Sequence, residues 1–379
     1  MKLTLEQAPL QKALSRIGGV IERSQTIPIL GHVLIEADGE IVTLSGSNLD
    51  MHTVVHLPAR VERPGAITVP AGTMSDIARN APNGAELLLD YEPVSDPRLT
   101  VRFGRSSYQL AVLPAHDFPA RDDPAWPTSL DLDARDLRAI LGRSSFAAST
   151  DETRYFLNGT YLHVVAEANS SWLRAAAADT TRLAYAQVRA PSGLPVFPGA
   201  ILPRKTVSEF MKLLDNRVGP VVLQLSRSAV RLSAGEVAIS SKLVDGEYPD
   251  YTRPIAPSYA IETSFDRLAL AGAVRRVALI SGEKERGVKL TLDDGAISVS
   301  VRNMEAGQAA EEIEIPYRGP RLELGFNARI ILEALDQSEA DRLLLRANGP
   351  RDPITIVPEL DDAEAGLMLS VLSPRIVHG

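Results

Sequence analysis

The residues that could do chemistry are few. His52 and His56 stand four apart in "HTVVH", and the runs "DLDARD" and "ELDDAE" place carboxylates close together. A histidine pair invites a metal, but this one lies in a strand-like run with few acids nearby and no evident third ligand. Paired carboxylates suit general acid–base work. Both acidic runs, however, fall at helix starts or in loops, where Asp is expected as a cap. No G-x-S-x-G or Walker A run is present. The chain has no cysteine, which excludes disulfides, Cys-ligated zinc and thiol catalysis and fits a reducing cytoplasm. No catalytic residue, cofactor or metal is expected.

The elements that position side chains repeat three times. A chain of 379 residues suits two or three domains, and a composition of 45% hydrophobic and 23% charged residues is that of an ordinary globular protein. Nothing approaches 18 consecutive apolar residues, so no membrane span is expected, and "MKLTLEQAPL" has no signal-peptide core. Each third opens with an amphipathic helix. Leu10, Ala13, Leu14 and Ile17 share one face; so do Leu137, Ile140 and Leu141, with Asp133 as cap; so do Leu270, Val274 and Val277. A second helix follows in each third, within 70–82, 203–215 and 327–337. The closing stretches "VLPAHDFP", "LVDGEYPDY" and "SVLSPRIV" also correspond. Short alternating strands with turn signals fill the remainder. The fold class is α+β: three tandem domains, each of two helices and about eight antiparallel strands, over 1–125, 126–257 and 258–379.

Eight stretches in order carry a resemblance that spans the whole chain. They are "TIPILG" (26–31), "LPAHDFP" (113–119), "ETRYFLNG" (152–159), "LPRKTV" (202–207), "SKLVDGEYPDY" (241–251), "EKERGVKL" (283–290), "NMEAGQAAEE" (303–312) and "LGFNAR" (324–329). The chain resembles the beta subunit of bacterial DNA polymerase III, the sliding clamp family, as a divergent member. The resemblance implies a head-to-tail homodimer that closes into a ring of six similar domains around duplex DNA. It also implies no catalytic activity. The expected function is to tether the replicative polymerase for processive synthesis and to dock other replication and repair proteins. The alternative is a clamp paralogue that serves as a protein-binding module with little or no encirclement.

The charge pattern agrees with a ring. The six helical stretches carry thirteen Lys or Arg against eight Asp or Glu, a surplus of +5 in a chain of net charge −8. Positive charge facing phosphates within a negative exterior is what a DNA-encircling protein needs. By resemblance, the residues nearest duplex DNA are Arg23, Arg154, Tyr155, Arg204 and Lys205, which would bind it independently of sequence.

Ring closure needs two strand edges that pair only with each other. The resemblance puts one within 99–111 and the other near 296–303. Arg105, Tyr108 and Leu110 would then meet Leu279, Ile280, Glu311 and Glu312. It also implies a peptide cleft for the DNA polymerase III alpha subunit, the clamp loader and other proteins bearing clamp-binding motifs. Leu157, Arg182, Leu183, Pro249 and Arg253 map onto that cleft, as do Leu372, Pro374 and Arg375. Thr180 and Thr181 stand where the family carries Gly-His, and "LSPRIVHG" replaces a methionine-rich ending. Loss of the glycine reshapes the cleft floor and loss of methionine removes an adaptable wall. These departures imply an altered client preference and weaker binding of standard clamp-binding peptides.

Overall fold

The computed structural model describes residues 1–22, 26–92, 97–120, 124–167, 170–191, 194, 197–282, 287–359 and 368–374. It divides into two compact units, Met1–Arg135 with Ser208–Leu243, and Asp136–Val207 with Val244–Gly379.

Among the described residues six α-helices occur where the periodicity places them: α1 (Gln7–Gly18), α2 (Ala71–Asn80), α3 (Ala134–Ser145), α4 (Arg204–Leu214), α5 (Arg267–Val277) and α6 (Ala328–Asp336). The apolar faces read from the sequence of α1, α3 and α5 are buried in full. In α4, Val207, Phe210 and Leu214 are buried, but Met211 is only half-buried and Leu213 takes the remaining core position. Local capping fixes where helices begin. Asp133 accepts from the Arg135 amide at 2.8 Å, Asp266 from Ala269 at 2.7 Å and Asn327 from Arg329 at 2.9 Å. Each satisfies an N-terminal amide that the helix itself leaves without a partner.

Among the described residues the strands form four antiparallel sheets. In the first unit a five-stranded sheet runs in the order Arg60–Arg63, Lys2–Glu6, Glu86–Tyr91, Arg98–Phe103, Ser106–Ala111. A nine-stranded sheet runs Leu113–Pro114, Gly65–Pro70, His32–Asp38, Ile41–Ser47, Met51–Pro58, Val237–Lys242, Ala229–Ala234, Pro220–Leu225, Thr128–Asp133. In the second unit an eight-stranded sheet runs Ala200–Pro203, Gly159–Glu167, Ser170–Ala178, Arg182–Arg189, Met368–Leu372, Ile354–Pro358, Arg342–Ala347, Ile261–Asp266. A four-stranded sheet runs Gly307–Glu314, Ala296–Asn303, Gly287–Asp293, Leu322–Asn327.

The compact units therefore do not coincide with the sequence repeats. The middle repeat lends four strands to each large sheet. Its strand Val237–Lys242 pairs with Met51–Pro58 of the first repeat, and its strand Arg182–Arg189 pairs with Met368–Leu372 of the third. A continued sheet keeps its backbone groups paired through the join, which leaves no open edge there. Strand alternation builds the cores: Pro220–Leu225 buries every second residue, and the first unit packs Leu10, Leu14 and Ile17 of α1 against Leu44, Leu87 and Leu89. Gly159, the last residue of "ETRYFLNG", shows how closely the second unit is packed. A Cβ there would lie 2.4 Å from the Leu202 carbonyl oxygen, so only glycine fits.

Candidate functional site

In the second unit one apolar cluster gathers residues that are distant in sequence. Leu157 ends a short 3-10 turn, Glu152–Leu157, and packs with Leu183, Tyr185, Tyr248, Tyr251 and Val371. Of the residues expected in the peptide cleft, Leu157 and Leu183 are buried together here, while Thr180, Thr181, Pro249 and Arg253 are exposed and Pro374 is half-buried. Leu372 does not belong with them. It is fully buried in the other core of the unit, with Phe265, Ile354 and Ile356. Its neighbour Val371 faces the cluster instead, directly across from Leu183. Strand residues alternate between faces, so a displacement of one residue exchanges one apolar cluster for the other. Arg375 and Arg23 lie outside the described residues.

The Gly-to-Thr departure has a structural answer. Asp179 Oδ1 accepts from the amides of Thr181 (2.7 Å) and Arg182 (3.0 Å) and from the Thr181 hydroxyl (2.8 Å). This Asx turn closes the loop without a left-handed residue; the only non-glycine residues with positive φ among those described are Leu49 and Asn216. The Ser373 amide then donates to the Thr181 carbonyl at 2.9 Å, fastening the last described strand to the turn. Arg182 is committed rather than free. Its Nε meets Asp179 at 3.1 Å, a second nitrogen pairs with Glu333 of α6, and the guanidinium lies 5.5 Å from the Phe146 ring centre. Burial pushes the Glu333 carboxyl up, but hydrogen bonds from Arg329 and Arg182 outweigh it and hold the group below its usual range.

Behind the rim lies an aromatic network that the sequence showed only as scattered tyrosines. Tyr161 stacks on Tyr248 at 4.9 Å between centroids and on His163 at 4.5 Å. The Tyr251 hydroxyl contacts His163 Nε2 at 2.9 Å and accepts from Arg174 at 3.3 Å, and the Arg174 guanidinium sits 4.4 Å above the Tyr185 ring. Burial, and then the nearby Arg174 charge, lower the His163 pKa to about 4, so it is neutral at physiological pH. Tyr248 and Tyr251 are each at most 8% exposed, which anchors the exposed Pro249–Asp250 segment between them. Asp250 is held below the usual carboxylate range by hydrogen bonds from Thr252 and pairs with Arg253 at 3.4 Å.

Several basic residues are held in ion pairs. Arg79, Arg135, Arg143, Lys212, Arg275, Arg276 and Arg329 all pair with carboxylates. Five of the seven partner carboxylates are already counted within the helical stretches, so only the pairs with Glu339 and Glu311 lower their positive surplus. Arg204 and Lys205 are exposed in the first turn of α4, with Arg204 donating at 3.4 Å to the Ser149 carbonyl. Arg154 and Tyr155 are exposed on the 3-10 turn before Leu157; Arg154 approaches Asp151 at 3.9 Å and Tyr155 is 56% exposed. Exposed arginine and tyrosine can meet phosphate without reading bases.

Among the described residues each of the four sheets ends in two outer strands paired on one side only, and two of these eight bear on ring closure. One is Ser106–Ala111 and the other Gly307–Glu314. Sequence reasoning put the second edge near 296–303, but Ala296–Asn303 is paired on both sides; the edge is the next strand, which carries Glu311 and Glu312. Next to the first edge, Arg98, Arg102 and Arg105 are exposed and Tyr108 stacks on Phe103 at 5.8 Å. Leu110 is only 8% exposed and belongs to the first unit's core, which removes it from the exposed edge. Leu279 is 83% exposed, whereas Ile280 packs partly on the third repeat's core. Glu311 pairs with Arg276, and that hydrogen bond holds its carboxyl below the usual range.

His52 and His56 stand four positions apart along one strand, about 13 Å. His56 contacts Thr43 at 3.0 Å, while His52 packs edge-on against Phe118. Among the described residues no group of three or more His, Cys, Asp or Glu could hold a metal ion, and no helix is long and apolar enough to cross a membrane.

Comparison with known proteins assigns the family. Models of the DNA polymerase III beta subunit match in succession: the N-terminal domain over 1–122, the central domain over 131–250 and the C-terminal domain over 256–371. The chain is similar to the beta sliding clamp of Caulobacter vibrioides (strain NA1000 / CB15N), 43% identical over 361 residues that cover 95% of this chain and 97% of that protein. It is 33% identical to the beta sliding clamp of Escherichia coli (strain K12) over 377 residues, 99% of each. Among solved structures, the C. crescentus beta sliding clamp aligns over the whole of both chains with a TM-score of 0.94 at 42% identity. A Bartonella birtlesii sliding clamp bound to griselimycin aligns equally fully, with a TM-score of 0.94 at 36% identity. The chain belongs to the DNA polymerase III beta subunit family, the non-catalytic sliding clamps that confer processivity on that polymerase.

Proposed function

We propose that two copies of the chain close head to tail into a ring of six clamp domains, over 1–125, 126–257 and 258–379 of each, around double-stranded DNA in the cytoplasm. The observation that carries this reading is the opposite charge carried beside two of the outer strands. Exposed Arg98, Arg102 and Arg105 flank one, and the other presents the acidic Glu311, Glu312 and Glu314. Opposite charges beside two open strand edges favour one another and disfavour self-pairing. Leu279, exposed beside the acidic edge, gains roughly 1.5–3 kcal/mol on full burial. Arg154, Tyr155, Arg204 and Lys205 then serve as phosphate contacts that allow sliding.

The apolar cluster around Leu157, Leu183 and Val371 is the docking place for short peptides of the DNA polymerase III alpha subunit, the clamp loader and other client proteins. Pro249, Arg253, Thr180 and Thr181 form its exposed rim. The direct test is loading onto nicked circular DNA by a clamp loader, followed by linearisation. The ring stays on the circle and leaves the linear product. Equal retention on both forms would favour a protein-binding module that does not encircle DNA.

A further inference from the structure

The acidic outer strand Gly307–Glu314 carries one carboxylate on its inner side. Along this strand Ala309, Glu311 and Ile313 are half-buried, while Gln308, Ala310, Glu312 and Glu314 are exposed. Ala309 and Ile313 pack on the core of the third repeat, so Glu311, between them, stands on the side that faces the helices. Glu312 and Glu314 are not equivalent to it. A strand added at this edge would leave an outward carboxylate in water but would flank Glu311 with its own inner side chains.

Arg276 of α5 meets the Glu311 carboxylate with two hydrogen bonds, Nε to Oε2 at 2.9 Å and Nη2 to Oε1 at 2.5 Å. A two-point fork of this kind is the strong geometry for a guanidinium and a carboxylate. Gly272, one turn earlier in α5, leaves room for it. A Cβ at that position would lie 3.0 Å from Arg276 Nη1. Glycine weakens a helix interior, and here the guanidinium lies over the place a methyl group would take.

The strand Ser106–Ala111 offers different chemistry on its inner side. Tyr108 and Leu110 stand across from buried Val101 and Leu99, and Ser106 stands across from buried Phe103. A carboxylate covered by these side chains loses water and gains no charge in return, so it needs a counter-charge from its own chain. We propose that Arg276 is a positioning residue for ring closure: it neutralises Glu311, and in that state the acidic edge accepts the strand 106–111 of a second copy. This rests on the ring reading given above. Two acidic edges that met would bring two inner carboxylates to one seam, so Glu311 also disfavours self-pairing.

Sedimentation equilibrium over a concentration series gives the dimer dissociation constant of the full chain and of its variants. Arg276→Ala should raise that constant by about tenfold, with the circular dichroism unchanged. Arg276→Lys keeps the charge without the fork and should stay within about threefold of the unaltered chain. Arg276→Ala combined with Glu311→Gln should also return to within about threefold, because no charge is left to cover. That recovery separates neutralisation from bracing. The double variant lacks the fork as fully as the single one, so a fork that only held α5 and Leu279 against the strand would leave both equally weak. Equal weakness in the two, a loss in Arg276→Lys as large as in Arg276→Ala, or no weakening in Arg276→Ala overturns the proposal and leaves the ring reading standing. An unaltered chain that stays monomeric overturns both.

Discussion

His163 shows how one buried side chain can make a surface depend on pH. Its ring is fixed between Tyr161 and the Tyr251 hydroxyl, and its pKa falls from an ordinary 6.5 to about 4. Between those values the unfolded chain binds a proton that the folded protein excludes. The stabilising contribution is therefore fully present above pH 6.5 and is lost as pH falls towards 4, by up to about 3 kcal/mol. Calorimetry across this window should show a falling transition temperature for the second unit, and His163→Phe should flatten the fall. An unchanged slope in the variant would assign the acid sensitivity to other groups. The sequence offered His163 no distinction, because one of its two ring partners, Tyr251, lies far along the chain. The Asp179 turn was likewise read only as a missing glycine. Its replacement chemistry, a carboxylate accepting two amides, was present in "ADTTRL" and follows from local turn rules.

At the scale of elements, helices were the most legible, since their buried faces follow from a local period of 3.6 residues. Strand edges were not, because an edge is defined by what does not pair with it. The shift from 296–303 to Gly307–Glu314 moves the candidate edge one strand outward but keeps Glu311 and Glu312 on it. This separates two kinds of variant. Leu279→Ala with Ile280→Ala should yield monomers with little loss of fold, because Leu279 is exposed. Leu110→Ala should instead cost roughly 2–5 kcal/mol of stability through a core cavity. Light scattering at micromolar concentration beside urea unfolding distinguishes them. An intact dimer in the double variant would exclude Leu279 and Ile280 from closure.

For the whole molecule, DNA retention should have two components. Phosphate contacts weaken with salt, whereas topological linkage does not. Arg204→Ala with Lys205→Ala should reduce the slope of log affinity against log salt for linear DNA by about 1–2, while retention on closed circles persists. If retention on circles falls in parallel, binding is electrostatic rather than topological. Sequence by itself determined the threefold repeat, the six helices, the absence of thiol chemistry and the family, since all of these rest on local patterns or on motif order. Only the tertiary structure decided that the middle repeat is shared between two sheets. It also decided that Val371 rather than Leu372 joins the apolar cluster of Leu157 and Leu183, that Leu110 is core, and that Arg182 is already held by two carboxylates. The physical reason is common to all four. Which face a strand residue presents, and which charges it meets, is set by cross-strand register between segments far apart in the chain, and no local period encodes that register.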